Sequence, residues 1–258
     1  MIPIHSAIEK ERCRRSAHYF IFDSKYLKTK DEQDLDNSVK PVPDWPYLRV
    51  LLDCYLLGSR IIEPADALWA LANELPIEFL QLLYDRSMLF VEKSRELFVT
   101  NLTCAFIHWR AKYLKYQLIL VQSKNELDAA NLVFNKEPDA ARISFQEYNL
   151  PQTLKNINLG KASYCNLSSA TGSRIRAIPE GGHVIRSEHP SMIFSDEGAF
   201  QPEFDASFTA AIGATKAGAL FLSVSTAEPG VFQNIVCPDD TKMPSKICGS
   251  AVAMGCIG

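Results

Sequence analysis

Short apolar runs alternate with stretches of helical periodicity through the middle of the chain. The apolar runs predict four strands, at residues 88–92, 116–122, 191–197 and 219–230. Helical spacing covers residues 100–114 and 124–135, and two further strands meet at a turn at Thr171 and Gly172. Because strands that alternate with helices pair in parallel, this region predicts an α/β sheet with ligands at the carboxyl ends of its strands.

The part of the chain before this region has a mostly helical pattern. Leucines recur at helical spacing through residues 44–85, which predicts two or three helices broken near Gly58, Pro64 and Pro76. The acidic stretch 28–43 has no apolar period and predicts a loop. The end of the chain loses the pattern and predicts an irregular tail. We therefore divide the chain into a helical, lid-like region (1–60), a core (61–236) and a tail (237–258).

Composition indicates a soluble, globular protein with no bulk affinity for nucleic acid. The 258 residues are 47% hydrophobic and 22% charged, with a net charge of −3 and a pI near 6.0. Contact with DNA would therefore need a local basic surface. No apolar run approaches ~18 residues and the N-terminus has no apolar core of signal-peptide length, so we expect neither a membrane span nor a secretory signal.

Cysteine usage favours a reducing compartment. The chain has seven cysteines, none of them in a C-x-x-C pair, and five histidines without ligand spacing to a cysteine. Free thiols explain this odd count better than a disulfide framework does. The same spacing gives little support for a metal site built from histidine and cysteine.

Two acids close one of the predicted strands. Asp196 and Glu197 follow the apolar run at residues 191–195. Adjacent strand residues point to opposite faces, so one carboxylate can hold Mg²⁺ while the other reaches an attacking water. Phosphoryl transfer needs both roles, and the pattern is that of a Walker B motif with a catalytic glutamate. A solvated strand end is the alternative that this pattern leaves open.

The segment "EKSRELFVT", residues 92–100, lies where a phosphate-binding loop would join a strand to a helix. The common Walker A form is G-x-x-x-x-G-K-[ST]. With Thr100 at the hydroxyl position, Val99 replaces the lysine, Phe98 replaces the second glycine and Lys93 replaces the first, with Arg95 two residues on. Thr100 can still cap the helix and offer its hydroxyl to Mg²⁺. The alternative is a solvated loop, and the bulky Phe98 favours it.

Ser225 and Thr226 close the strand at residues 219–230, which we expect to lie beside the acidic strand. Small hydroxyl side chains at such a position can respond to the γ-phosphate and pass its loss to a neighbouring segment. An ordinary strand end is the alternative. The order of deviant phosphate loop, acidic strand end and hydroxyl strand end is that of an additional-strand P-loop NTPase. We therefore predict this fold, with a mostly parallel central sheet flanked by helices and preceded by a helical region.

The chain also resembles the large terminase subunits of tailed double-stranded DNA bacteriophages, over about residues 18–236. In that family the phosphate loop often begins with a lysine, as in "EKSRELFVT", and is followed by a helix similar to "NLTCAFIHWRA". The segment "SSATGSRIRAIPEGGHVIRSEHPSMIFSDEGAF" carries the most specific resemblance, and "SVSTAEPGVF" is similar to the family's coupling motif.

The resemblance implies an ATPase that uses ATP and Mg²⁺. The resemblance also implies which residues surround the triphosphate, namely Lys93, Ser94, Arg95 and Thr100. Asp196 would hold Mg²⁺, Glu197 would activate water, and Ser225 with Thr226 would couple hydrolysis to movement. Tyr47 resembles an upstream aromatic residue that contacts adenine, although the neighbouring glutamine of many members is absent. Arg95 would act as an arginine finger in cis; Arg174 or Arg186 would act in a neighbouring subunit, and the sequence does not choose.

The resemblance further implies a motor that packages viral double-stranded DNA into the procapsid. Its partners would be that DNA, the portal protein, the small terminase subunit and further copies of the chain, in the host cytoplasm and without a membrane. Large terminases carry a nuclease domain after the ATPase, and this chain stops soon after the coupling motif. We therefore expect no DNA cleavage from it.

Two alternatives to a packaging motor remain at this point. A helicase-like translocase would need a second motor domain, for which the chain is too short. A catalytically degenerate P-loop module, retained for assembly with the portal or a partner subunit, is favoured by Phe98 and Val99 in the loop.

Overall fold

A computed structural model describes most of the chain. The described residues are 4–24, 26–30, 39–134, 142–148, 150–151, 154–155, 166–226, 228–236, 247–248 and 251–257. The strands are β1 (Lys28–Lys30), β2 (Val39–Pro41), β3 (Met88–Lys93), β4 (Leu118–Gln122), β5 (Asn166–Ser168), β6 (Arg174–Ala177), β7 (Met192–Asp196), β8 (Leu220–Ser225), β9 (Ile247–Cys248) and β10 (Ala251–Ile257).

The helices surround these strands. They are α1 (Ile4–Arg15), α2 (Pro46–Gly58), α3 (Leu68–Ala72), α4 (Ile77–Arg86), α5 (Val99–Tyr113), α6 (Glu126–Val133), α7 (Ile143–Tyr148), α8 (His183–Ser187), α9 (Phe204–Lys216) and α10 (Val231–Val236). A π-helical turn covers Tyr19–Asp23, and short 3₁₀ turns cover Pro64–Asp66 and Gly198–Phe200. None of the helices in the described ranges is both long and apolar enough to cross a bilayer.

Eight strands form one sheet in the order β5-β6-β4-β7-β8-β3-β10-β9. The six inner strands run parallel, and β5 and β9 pair antiparallel at the two edges. Strand β8 lies between β3 and β7, which is the additional strand of the predicted NTPase fold. The structure therefore confirms the α/β prediction and its mostly parallel sheet flanked by helices.

Both faces of the sheet are covered, which explains why the inner strands are continuous apolar runs. Along β3, Leu89 and Val91 belong to the core under α2 and α5, whereas Met88 and Phe90 belong to the core under α9 and α10. This two-residue alternation follows from the pleat of a strand. The carboxyl ends of β3, β7 and β8 meet at one edge of the sheet, so residues that follow these strands come together there.

The helical N-terminal region packs on the same core as the sheet. Helix α2 is buried along nearly its whole length, and α2, α3 and α4 break near Gly58, Pro64 and Pro76 as predicted. Trp109 Nε1 of α5 donates a 2.9 Å hydrogen bond to the carbonyl oxygen of Cys13 at the end of α1. Of the described thiols, Cys13, Cys54 and Cys104 are buried and free, as the sequence predicted for the chain as a whole.

Two predictions about irregular segments are wrong in part. The predicted loop 28–43 contains β1 and β2 at its ends, which pair antiparallel. The predicted irregular tail contains β9 and β10, and β10 pairs in parallel with β3 on the side away from β8. The strands β1 and β2 form a separate two-stranded sheet. Both pairings satisfy backbone groups through partner strands, which local periodicity does not reveal. The domain boundaries themselves stay a prediction.

Candidate phosphate-binding site at the carboxyl edge of the sheet

The backbone between β3 and α5 turns sharply through two left-handed residues. Glu96 and Phe98 have left-handed φ angles of 67° and 54°, although neither is a glycine. Phe98 occupies the position of the second glycine in the common motif and is the residue that precedes α5. Left-handed backbone costs a residue with a side chain about 1 kcal/mol, and such residues concentrate at functional sites.

Aromatic rings hold this loop in place. The Phe98 ring meets the Trp45 ring edge-to-face with 5.4 Å between centroids. The Tyr47 hydroxyl donates a 2.9 Å hydrogen bond to the carbonyl oxygen of Leu97. Burial raises the pKa of Tyr47 to about 12, so its hydroxyl stays protonated as a donor. The predicted adenine contact therefore lies directly against the loop, and its hydroxyl is bound to the loop backbone.

The first turn of α5 is joined to the end of β7. Thr100 Oγ1 donates a 3.0 Å hydrogen bond to Asp196 Oδ1, and the two residues are only 8% and 7% exposed. Strand β8 lies between β3, which leads into α5, and β7, which carries Asp196, so this bond spans the carboxyl edge of the sheet. The two residues that the sequence assigned to Mg²⁺ are therefore in contact.

Asp196 lies in an unusual electrostatic environment. Burial raises the pKa of this carboxyl to about 6. The positive charges of Arg142 and Lys93 and the Thr100 hydrogen bond oppose that rise, whereas the charge of Glu197 adds to it. The charges of Lys93 and Glu197 thus act on the ionisation of Asp196.

Glu197 follows Asp196 in a strained turn. Its φ of 55° is left-handed, and it opens the 3₁₀ turn Gly198–Phe200. The residue is half-buried, so its side chain remains accessible at the edge of the sheet. A Cβ atom at Gly198 would collide with Ser223 Oγ of β8 and with the Phe204 ring, so the turn packs tightly against the neighbouring strand.

The end of β8 contacts the same turn. Ser225 is buried, and its Oγ accepts a 3.2 Å hydrogen bond from the backbone N–H of Ala199. Thr226 is half-buried just beyond the strand. The prediction that these hydroxyl residues lie beside the acidic strand is confirmed, because β7 and β8 are paired neighbours. Their role in coupling stays a prediction.

The remaining predicted residues are less involved in contacts. Lys93 is half-buried at the end of β3, and Ser94 and Arg95 are exposed on the loop. Their roles around a triphosphate, including Arg95 as an arginine finger, stay predictions. Arg174 pairs with Leu118 at the amino-terminal start of β6, so it lies at the opposite edge of the sheet from Asp196. Arg186 lies on α8.

Two residues at this edge were missed by the sequence reasoning. Gln201 is buried, and its Nε2 donates 2.9 Å hydrogen bonds to Ser195 Oγ and to the carbonyl oxygen of Asp196. Arg142, immediately before α7, places a positive charge near Asp196. A single glutamine after an acidic pair and a single arginine before a short helix belong to no spacing pattern, so neither gave a signal.

The donor set fits magnesium held together with a phosphate. Thr100 and Asp196 offer one hydroxyl and one carboxylate, the oxygen ligands that Mg²⁺ prefers. Across the described residues, no cluster of three or more histidine, cysteine or acidic side chains could hold a metal without help. Mg²⁺ in nucleotide sites is bound by one or two protein oxygens, the substrate phosphates and water, so two protein ligands are enough.

No protein-family model matches the chain, and no curated protein matches it. Among solved structures it is similar to the large terminase of bacteriophage HK97, with 12% identity and a TM-score of 0.43 over 80% of this chain and 38% of that one. It is also similar to the large terminase of a thermophilic bacteriophage in complex with ADP, with 11% identity and a TM-score of 0.34 over 55% of this chain and 34% of that one.

A third similar structure is the large terminase of the same thermophilic bacteriophage in complex with ATP-gamma-S, with 13% identity and a TM-score of 0.33 over 55% of this chain and 33% of that one. The chain thus spans between 33% and 38% of the length of these terminases. Sequence identities and TM-scores this low carry no argument about activity. The proposal of an activity rests on the contacts of the site instead.

Proposed function

We propose that this chain is the ATPase part of a terminase-like motor, which hydrolyses ATP to move double-stranded DNA into a viral procapsid. The hydrogen bond from Thr100 to Asp196 carries the proposal, because it joins the helix after the loop to the acidic strand end. A buried hydroxyl–carboxylate pair beside a left-handed loop is what an Mg-nucleotide site requires.

Binding of the nucleotide follows from the loop and the start of α5. Lys93 and Arg95 bring positive charge to the mouth of the loop, where a phosphate would lie near the helix N-terminus. Ser94 offers a hydroxyl on the same loop, and Tyr47 presents its ring beside Leu97 for contact with adenine. The charge that a Walker A lysine supplies at residue 99 comes in this proposal from Lys93.

Hydrolysis follows from the acidic turn. Glu197 would orient a water for in-line attack on the γ-phosphate and take up its proton, since its side chain is accessible next to Asp196. Bound Mg²⁺ would neutralise developing charge on the phosphate oxygens. Lys93 and Arg95 would stabilise the same charge electrostatically.

In this proposal, Ser225 and Thr226 at the end of β8 couple ATP hydrolysis to movement. Ser225 accepts a hydrogen bond from the turn that carries Glu197, so a shift of this turn would reach Ser225 and Thr226 directly. The proposed partners are double-stranded DNA, the portal protein, the small terminase subunit and further copies of the chain.

Purified protein with Mg-ATP tests the proposal. We expect phosphate release that falls to a small residual rate in Glu197→Gln, while nucleotide binding persists, because the change removes the base and leaves the loop intact. Lys93→Ala should weaken binding as well. Glu78→Gln, an exposed acid on α4, is the matched control and should keep wild-type turnover. Turnover in Glu197→Gln near the wild-type rate would contradict the proposal.

A catalytically degenerate module is the second candidate. The specific observation in its favour is the half-buried Phe98 ring between Trp45 and the loop, at a position that a glycine normally leaves open. Such a module would bind nucleotide without turnover, or would not bind it, and would act in assembly with the portal or a partner subunit. The same hydrolysis and binding measurements separate the two candidates.

A further inference from the structure

We propose that Gln201 is a positioning residue that fixes the Glu197 carboxylate for its task. The inference rests on the proposed function and adds to it a residue that no motif includes. Its basis is geometric: Gln201 is 4% exposed, and its amide nitrogen binds the two residues that immediately precede Glu197.

The orientation of the Gln201 amide is fixed by its partners. Nε2 donates to the backbone carbonyl of Asp196 and to Ser195 Oγ, each at 2.9 Å. A carbonyl oxygen is an acceptor and cannot pair with Oε1, so the opposite orientation of the amide would place two oxygens against each other. Both N–H groups are therefore used to hold the end of β7.

The backbone of the turn that Gln201 holds is strained at Glu197. Glu197 has left-handed backbone, which a glutamate adopts only when its surroundings impose it. Gly198 packs against Ser223 and Phe204 on one side of the turn, and Ala199 N–H is bound by Ser225 Oγ. Gln201 closes the turn from the other end, so the strand, the turn and β8 form one rigid unit around Glu197.

The amide oxygen of Gln201 adds a cost to this arrangement. Gln201 Oε1 is buried and makes no hydrogen bond within the described part of the chain. A buried acceptor without a donor is unfavourable. A hydrophobic side chain of the same length would avoid this penalty but would release Asp196 and Ser195.

Gln122 provides a matched control. It is 0% exposed at the end of β4, its Nε2 donates to the carbonyl oxygens of Pro179 and Gly181, and its Oε1 is also without a partner in the described residues. It therefore loses the same groups on substitution. Its backbone pairs with Ser195, but its side-chain bonds, which the substitution removes, hold the segment before α8 and not the acidic turn.

The test compares the wild-type protein with Gln201→Met and Gln122→Met by Mg-ATP hydrolysis, ADP binding and thermal unfolding. We expect kcat of Gln201→Met to fall about tenfold to a hundredfold, because a displaced catalytic group loses its alignment. The dissociation constant for ADP should stay within about threefold, since the loop is unchanged. Gln122→Met should keep wild-type kcat despite a similar loss of buried hydrogen bonds.

A double variant shows whether Gln201 acts through Glu197. In the Glu197→Gln background, Gln201→Met should cause no further loss of residual turnover, because the group that it positions is already gone. Three results would each overturn the inference. They are a double variant whose kcat falls by the product of the two single losses, a kcat of Gln201→Met within about twofold of wild type, and an equal loss of kcat in Gln122→Met. Absence of hydrolysis in the wild-type protein would instead overturn the proposed function, and this inference with it.

Gln201→Glu keeps the proposal testable if the methionine variant fails to fold. A protonated carboxyl can donate one of the two hydrogen bonds, whereas a carboxylate cannot donate any. At most one of the two bonds remains in Gln201→Glu, so its kcat should fall at least about tenfold below that of the wild type. A kcat within about twofold of the wild type would contradict the positioning role.

Discussion

Tyr47 on α2 and Leu97 in the loop between β3 and α5 are joined by a 2.9 Å hydrogen bond between the phenol hydroxyl and the backbone carbonyl. This bond connects the helical N-terminal region to the loop that the proposed function depends on. The Tyr47 hydroxyl therefore anchors the loop, and under the proposed function its ring also contacts adenine.

Substitutions at Tyr47 separate these two ways. Tyr47→Phe should lower the free energy of unfolding by about 1 kcal/mol, because one hydrogen bond is lost and the Leu97 carbonyl is left unpaired. Tyr47→Phe should keep most of the affinity for ATP, since the aromatic ring remains. Tyr47→Ala should lose most of this affinity, because the ring is removed. Urea unfolding and nucleotide titration measure the two effects. Equal affinity in both variants would contradict an adenine contact.

Asp196→Asn should stabilise the nucleotide-free protein at neutral pH. Burial raises the pKa of Asp196 from 3.8 to about 6, so its ionisation opposes folding. In the wild-type protein, the contribution of Asp196 to the free energy of unfolding is fully present below about pH 4, where the carboxyl is protonated. It is lost as the pH rises through about 6 and the carboxyl ionises. Asparagine avoids that loss and still accepts the Thr100 hydrogen bond, so the gain should approach about 3 kcal/mol at about pH 7.5.

Urea unfolding of the two proteins between about pH 3.5 and about pH 7.5 checks this prediction, within the range where the fold is retained. The advantage of Asp196→Asn should shrink below about pH 6 and vanish near about pH 4. Asp66→Asn, at an exposed acid, controls for the loss of one negative charge. An advantage that is independent of pH would show that the burial of Asp196 is not its cause.

Residue 197 should prefer glycine to alanine. Its φ of 55° is left-handed, so a side chain strains the backbone there. We expect Glu197→Gly to unfold with a free energy about 1 kcal/mol higher than Glu197→Ala, while neither variant hydrolyses ATP. Gly213 serves as a control in which alanine should be preferred to glycine. It is an exposed residue in the middle of α9 with open space around it. There Gly213→Ala should stabilise by about 1 kcal/mol, through helix propensity.

The buried ion pair between α5 and α7 should behave as a unit. Lys112 Nζ lies 3.1 Å and 3.2 Å from the two carboxylate oxygens of Glu147, and His108 Nε2 lies 3.2 Å from the same group. Lys112→Met alone should destabilise by about 3–5 kcal/mol, because a carboxylate stays buried without that partner.

Removing both charges should restore most of this loss. Lys112→Met with Glu147→Leu replaces the pair by apolar groups, and burial already lowers the pKa of His108, so its ring can stay neutral beside them. Chemical unfolding of the single and double variants measures the coupling. Arg14→Met, in the exposed pair of Arg14 with Glu11, should leave stability nearly unchanged. Equal destabilisation in the single and double variants would contradict coupling through charge.

Sequence patterns predicted the inner sheet because its strands are buried on both faces. Strands β3, β7 and β8 are therefore continuous apolar runs, and their polar ends show where the carboxyl edge lies. The contact of Thr100 with Asp196 then follows from topology, since parallel strands bring their ends to one edge.

Other features depend on partners that are distant in sequence. Phe98 adopts the backbone of the glycine that it replaces because Trp45 and the Tyr47–Leu97 bond hold the loop, and a motif comparison counts it only as a mismatch. Strand β10 depends on an open edge of β3, which the apolar pattern of its own segment does not show. Gln201 depends on the end of β7, so its contribution became visible only in three dimensions.

The edge-to-face contact between Trp45 and Phe98 gives the protein a built-in optical reporter. The Trp45 indole is 39% exposed and touches the loop, whereas Trp109 is 3% exposed in the core. Filling of the loop would change the surroundings of the first indole and leave those of the second as they are. Trp69 is also 39% exposed, so a Trp69→Phe variant would let intrinsic fluorescence follow the arrival of the proposed nucleotide in real time, without a dye or an added label.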